Sequence, residues 1–278
     1  MPSPESEASI GALLDLLDPE VIDVDLYRGR SPATAHQRVF GGQVAAQALI
    51  AAGRTVDPDR PVHSLHAYFL RPGDPSTPIV YRVDRSRDGK SFTTRRVVAT
   101  QRGEQIFVMS ASFQVQEVGL DHQDPMPDVA DPESLPTIHE RLAAAGERWQ
   151  ERWSEFESID LRHVEEQDPF RSRVWLRAVA PLPDDPLLHV CVLAYASDLT
   201  LLLSALKPHD VRPEQLQLAS LDHALWFHRP FRADEWLLYD QATPSASGAR
   251  GFATGRIFSA DGRLVASAVQ EGLVRLRA

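Results

Sequence analysis

The feature that most limits how this chain can fold is a pair of helix-length segments with no polar side. Gly41-Gly42-Gln43 opens VAAQALIAAGRTV, and LAYASDLTLLLSAL begins at Leu193. A helix on the surface of a globular protein keeps a polar face, whereas one that is apolar all round has to be enclosed. Each segment is followed by four strand-like stretches. These are HSLHAYFL, PIVYRVDR, SFTTRRVVATQ and EQIFVMSASFQV after the first, and LASLDHALWFHR, EWLLYDQATP, GFATGRIFSA and RLVASAVQEGLVRL after the second. Turn signals (RPGDPST, SRDGK, RGE) separate the first four, so they read as an antiparallel meander.

The order strand, apolar helix, meander occurs twice, with VIDVDLY (Val21 to Tyr27) before the first helix and RVWLRAVAP before the second. Landmarks repeat at a nearly constant offset. Arg71-Pro72 and Arg229-Pro230 are 158 positions apart, Phe92 and Phe252 160, Gln114 and Gln270 156, and Gln43 and Asp198 155. Landmarks in the same order favour duplication over chance likeness. The expected architecture is α+β, two repeats each with an antiparallel sheet wrapped round a buried helix, which is the plan of a double hotdog. The boundaries that follow are an N-terminal repeat over 1–116, a connecting segment over 117–170 and a C-terminal repeat over 171–278. The connecting segment starts acidic and Pro-rich (DHQDPMPDVADPESLP), as a linker does. Beyond it Leu142, Trp149, Trp153 and Phe156 recur at helical spacing, predicting an amphipathic helix that packs by that face. Leu13 to Leu17 reads as a short helix ended by Asp18-Pro19.

Charge removes several function classes. With 29 Lys and Arg against 39 Asp and Glu, the 278-residue chain carries a formal charge of -10, the wrong sign for a general nucleic-acid surface. Its one cysteine, Cys191, lies in LLHVCVLAY, where a small buried hydrophobe is a plainer reading than a nucleophile. The N-terminal MPSPESEASIGALLDLLD lacks the basic start and long apolar core of a signal peptide. No apolar stretch is read as approaching the roughly 20 residues of a membrane span. A cytoplasmic protein without stable membrane insertion is therefore expected. No G-x-S-x-G elbow occurs, and the ten histidines form no helical pair at metal-ligand spacing. Neither a serine hydrolase of the α/β type nor a metal site is expected.

YRGRSP, FGGQVAAQAL, VHSLHAYFLRPG, DGKSFTTRRV, LPDDPLLHVCVLAYASD, LASLDHALWFHRPF, SASGARGF and LVASAVQEG resemble, in order and over nearly the whole chain, the acyl-CoA thioesterase II family, whose members carry a tandem hotdog. The resemblance implies hydrolysis of acyl-CoA to free fatty acid and coenzyme A with no added cofactor. It also implies a homo-oligomer, a dimer or tetramer of double hotdogs. Three catalytic positions are implied residue by residue. The family's aspartate, after an alanine-serine step at the start of the second buried helix, falls on Asp198 of YASDL. Its Ser/Thr hydroxyl, two residues before the aspartate of a strand motif, falls on Ser220 of ASLDH. Its glutamine, before Glu-Gly in the last strand, falls on Gln270 of VQEG.

Those residue types suit attack by water. A carboxylate accepts the proton, a hydroxyl and an amide orient the water, and donors hold the oxyanion that forms on the carbonyl. A helix starting near Asp198 is expected to supply those donors and to keep Asp198 ionised, with burial opposing it. Taken alone, each residue has a plainer reading: Asp198 as a helix N-cap, Ser220 and Gln270 as ordinary hydrogen-bonding positions. Gln270 nonetheless shares a strand face with Leu264, Ala266, Ala268 and Gly272, a small-residue surface on which a helix or an acyl chain can lie. Gln43, at the corresponding place in the first repeat, implies that the first-repeat site is degenerate. Asp222 and His223 are strand neighbours on opposite faces and make no acid–base dyad. Arg82, Arg85, Arg87, Lys90, Arg95 and Arg96 read equally as contacts for coenzyme A phosphates or as a solvated strand edge. Two rival readings stay open. A hotdog hydratase or dehydratase would want a histidine a few residues after its aspartate, where the first one here is His209. The other is a non-catalytic acyl-CoA-binding protein.

Overall fold

The computed structural model describes residues 3–32, 37–145, 153, 156–212 and 215–277. Helix α1 (Pro4–Leu16) is longer than the stretch expected around Leu13 to Leu17. Ser3 caps it by accepting the Ser6 N–H, and proline stands in its first turn. VIDVDLY is not one strand but a hairpin, β1 (Glu20–Asp23) and β2 (Leu26–Gly29), turned at Asp25, whose φ is 57°. The apolar alternation continues through the turn and hides it. Aspartate tolerates that left-handed backbone better than most residues.

Helix α2 (Gly41–Gly53) follows, then strands β3 (Val62–Phe69), β4 (Ile79–Asp88), β5 (Phe92–Gln101) and β6 (Glu104–Gln114). After helix α3 (Ile138–Ala145) the second half runs β7 (Ile159–Val164), β8 (Arg171–Ala178), α4 (Pro186–Ser197), α5 (Leu201–Ser204), β9 (Leu216–Ser220), β10 (Asp222–Phe227), β11 (Leu237–Ser247), β12 (Arg250–Ser259) and β13 (Leu264–Leu276). All strands join one antiparallel sheet ordered β1-β2-β4-β5-β6-β3-β10-β13-β12-β11-β8-β7, with β9 also pairing β13. That order is a mirror image about the β3–β10 pair, where Leu65 faces Leu225. Duplication is thus written into the sheet.

Every residue of α2 from Gly42 to Ala52 is buried, as a helix with no polar side requires. It packs antiparallel on α4, and glycines permit the approach. A Cβ on Gly42 would come within 2.4 Å of the Tyr195 carbonyl oxygen, and one on Gly53 within 2.5 Å of Leu187.

The second buried helix differs from expectation in a way that matters for the site. It begins at Pro186, where the Asp185 side chain accepts the Leu187 N–H, and it breaks at 198–200 before resuming as α5. Asp198 is therefore the C-cap of α4 and not the first residue of a helix. The apolar run continues through the break, so periodicity carries no trace of it. By length and composition Pro186–Ser204 would suffice to cross a bilayer, contrary to the reading that no stretch comes close, but most of it is packed inside the fold.

The Pro-rich connection is strapped down. Met126, Val129 and Leu135 pack on Trp175, Trp236, Leu238 and Phe258, and Trp175 Nε1 donates to the Ala130 carbonyl at 3.0 Å. Within the connecting segment the chain also forms β7, paired with β8, where no strand was expected. Of the aromatic face expected after the linker, Trp149 and the Leu142 side chain lie outside the described residues. Trp153 and Phe156 stack edge-on at 5.7 Å, and Phe156 meets Phe40 at 4.9 Å.

Candidate active site

Strand β13 presents Ala266, Ala268, Gln270 and Gly272 on its buried side, and Leu202 of α5 packs on Gly272. The small-residue face thus carries a helix. Ser220 ends β9 opposite Gly272, and β9 gives way to β10 at Leu221, whose N–H donates to the Glu271 carbonyl. The expected single strand LASLDHALWFHR is interrupted at this step. The interruption lets Ser220 sit beside Gln270, while β10 continues along β13 on one side and pairs with β3 on the other.

The structure brings the three sequence-predicted residues together. Gln270 Nε2 donates to Asp198 Oδ1 at 2.6 Å and lies 3.0 Å from Ser220 Oγ, which donates to Asp198 Oδ1 at 3.4 Å. Gln270 is buried, whereas Asp198 and Ser220 keep partial exposure. The Gln270 carbonyl oxygen is buried without a partner among the described residues.

A fourth group enters from the other repeat. The Gly42 backbone N–H also bonds the Asp198 carboxylate. A Cβ on Gly41 would stand 2.7 Å from Asp198 Oδ2. Phe40, the N-cap of α2, offers no side-chain cap, so the first turn of α2 faces the site with its N–H groups and positive dipole end. This corrects the expected source of oxyanion donors: Asp198 lies at the negative end of α4, and the positive end belongs to α2. The glycine pair opening α2 was visible in the sequence. Its proximity to Asp198 depends on helix packing that no local pattern encodes.

Burial dominates the Asp198 carboxyl and pushes its pKa up from 3.8 to about 6, against the hydrogen bonds from Gln270, Gly42 and Ser220. The group is mostly ionised at neutral pH yet basic enough to accept a proton. Asp222 and His223 diverge as strand neighbours should. Asp222 accepts the Glu271 N–H at 2.6 Å, while His223 Nε2 lies 2.9 Å from Ser197 Oγ. Burial holds His223 down to about 4, so it is neutral. Cys191 is buried and its thiol is pushed well up by the same cause.

The expected first-repeat counterpart of Asp198 is not equivalent to it in the fold, because Gln43 is the third residue of α2 whereas Asp198 caps the far end of α4. Gln43 Nε2 donates to the Arg30 carbonyl at 3.2 Å and to Ser31 Oγ at 3.0 Å. Gln47 donates to the Leu16 carbonyl and accepts the Tyr81 hydroxyl at 2.7 Å. A cleft of about 750 Å³ lies beside α1 and is lined in part by Phe40, Gln43 and Tyr195, which adjoin the contact between Gly42 and α4. Of the arginines considered for phosphates, two are committed within the fold. Arg95, 2% exposed, is bonded to Thr55 and Asp88, and Arg85 forks onto Asp25.

Two antiparallel half-sheets, joined edge to edge and each associated with a buried helix, define a double-hotdog protein. The acyl-CoA thioesterase family profile matches residues 159–273, and the profile of the acyl-CoA thioesterase N-terminal domain matches residues 29–114. The chain belongs to the acyl-CoA thioesterase family. It is 41% identical to mouse acyl-coenzyme A thioesterase 8 over 94% of this chain and 88% of the relative. It is 39% identical to Haemophilus influenzae acyl-CoA thioesterase 2 over 95% and 96%. The crystal structure of an acyl-CoA thioesterase II, TesB2, from Mycobacterium marinum superimposes with a TM-score of 0.83 at 49% identity, covering 96% of this chain and 98% of that one.

Proposed function

We propose that this protein hydrolyses acyl-CoA to fatty acid and coenzyme A with a water molecule that Asp198 deprotonates. The observation that carries this reading is the convergence of Asp198, Ser220 and Gln270, drawn from three separate elements, on one carboxylate oxygen beside the uncapped start of α2. Ionised Asp198 takes a proton from water while Ser220 and Gln270 fix the water's orientation. The hydroxide oxygen bonds to the thioester carbonyl carbon, and the first turn of α2 stabilises the oxyanion. Collapse breaks the C–S bond, and the proton on Asp198 passes to the departing thiolate. A carboxylate already accepting three hydrogen bonds is a poor nucleophile, which favours general-base over covalent catalysis.

The dehydratase alternative lacks its acid. His209 lies beyond α5, and His223 turns to Ser197. Thiol release from acyl-CoA, followed with a chromogenic disulfide, tests the reading. Wild type releases thiol without added cofactor, and Asp198→Asn lowers kcat on the order of 100-fold or more while melting normally. A folded Asp198→Asn with wild-type turnover contradicts the assignment, and binding without release by wild type favours a non-catalytic acyl-CoA carrier. Self-association and a cytoplasmic location belong to the same proposal and rest on the family resemblance. Light scattering on the purified chain tests the first.

A further inference from the structure

The break at 198–200 is the feature that aims Asp198, and a helix cannot be interrupted inside a protein without leaving carbonyls unpaired. The Asp198 N–H is directed to the Ala196 carbonyl, so it does not reach Ala194 as it would in a continuing helix. Two of the carbonyls freed by the break, those of Ala194 and Ser197, have side-chain partners instead. Ser197 Oγ donates to the Ala194 carbonyl at 3.0 Å, and the Tyr239 hydroxyl donates to the Ser197 carbonyl at 3.4 Å. Ser197 Oγ is in turn 2.9 Å from His223 Nε2. Ser197, His223 and Tyr239 are each at most 1% exposed.

The hydrogen count fixes the direction of this chain. The Ser197 hydroxyl has one proton, which goes to Ala194, so His223 donates from Nε2 and keeps a bare Nδ1. That atom is buried with no partner among the described residues. The other tautomer would bury an unpaired N–H and leave Ala194 without its hydroxyl donor, a costlier arrangement.

We propose that Ser197, His223 and Tyr239 form a buried bracket that positions Asp198 by holding the helix break in place. The bracket rests on the reading of Asp198 as the proton acceptor. His223 comes from β10 and Tyr239 from β11, so the bracket ties the break to two strands of the same half-sheet that supplies Gln270. None of the three touches the reacting atoms. They act through the backbone of residue 197.

Four variants test this: His223→Leu, His223→Gln, Ser197→Ala and Tyr239→Phe. His223→Leu is expected to lower kcat on the order of tenfold with KM little changed, because misplacement of a catalytic group costs rate more than binding. The acid limb of its pH profile should also move from the wild-type midpoint. His223→Gln, with an amide N–H in place of Nε2–H, should recover most of the rate. Ser197→Ala combined with His223→Leu should lose no more than either alone, since both remove one shared contact. A His223→Leu protein that melts like wild type and keeps its kcat and pH profile overturns the proposal. So does failure of His223→Gln to recover rate, or a double variant whose loss is the product of the two single losses. Should His223→Leu not fold, Tyr239→Phe decides with the loss of one oxygen: reduced kcat supports the bracket and unchanged kcat contradicts it. If Asp198→Asn keeps turnover, the reading of the site fails. If Asp198→Asn is inactive while the bracket variants match wild type, only the bracket fails.

Discussion

The two repeats share a sheet plan and part company at the buried helix. Tyr81 on β4 and Tyr239 on β11 stand 158 positions apart, each with its hydroxyl aimed at the helix of its own half. Tyr81 donates to the Gln47 side chain on an unbroken α2. Tyr239 donates to the Ser197 backbone carbonyl, at a point where α4 has stopped. In the first repeat the helix amides of Gln43 and Gln47 are bound to the chain at Leu16, Arg30 and Ser31. In the second, a carboxylate is turned out of the helix line against the uncapped start of α2. Duplication supplied two buried helices, and only the second breaks off to turn a carboxylate toward the other repeat. The resulting site belongs to neither repeat alone: its carboxylate is from the second and its positive helix end from the first.

Substitutions in the two repeats sharpen or break this contrast. The largest expected effect is from Gln270→Leu, which should lower kcat on the order of 100-fold. Gln43→Leu should instead lower Tm and leave kcat near wild type, because its amide holds only Arg30 and Ser31. Equal losses of rate would erase the difference between the repeats. A smaller effect is expected from pH. With its carboxyl pushed up to about 6, Asp198 loses its charge as pH falls, so kcat should drop about tenfold per unit below that value and level off above it. An acid limb near 4 would mean that burial does not outweigh the hydrogen bonds. The smallest effect is on stability. A folded-state carboxyl raised from 3.8 to about 6 makes the native state bind its proton more tightly, so its contribution to stability is present below 3.8 and lost as pH rises through about 6. Asp198→Asn should therefore melt a few degrees above wild type at pH 8, with the gap closing toward pH 4. A constant gap would show that the carboxyl's charge is not what costs stability.

What could be read from residue order follows from what is periodic. The enclosed helices and their duplication rest on repeating side-chain patterns and survive in the fold, but the expected meander holds only over β4-β5-β6 and β11-β12-β13, because β3 and β10 cross to pair with β6, with β13 and with each other. Non-periodic features did not announce themselves. Asp25 and Leu221 interrupt strands without interrupting apolar alternation, so a hairpin turn at Asp25 and a register shift at Leu221 read as continuous strands. The start of α4 was signalled by Asp185-Pro186, a capping residue before proline, yet the apolar run around Asp198 drew the helix too late. The role of Gly42 required knowing that α2 and α4 pack antiparallel, a contact between residues more than 150 positions apart. Asp198, Ser220 and Gln270 were legible only through family resemblance, because an isolated Asp, Ser or Gln carries no local signature of chemistry. The arginine-rich strands show the converse: their clustering is visible in the sequence, but Arg95 is used inside the fold and Arg85 is paired with Asp25 at the surface.

The central claim is that Asp198 activates water and does not itself attack the thioester. A single turnover in ¹⁸O-labelled water, with enzyme in excess over acyl-CoA, tests it most directly. The account predicts that the fatty acid released in that first turnover carries the label and that Asp198 does not. Unlabelled fatty acid together with label in the Asp198 carboxylate would reveal an acyl-enzyme anhydride and contradict it.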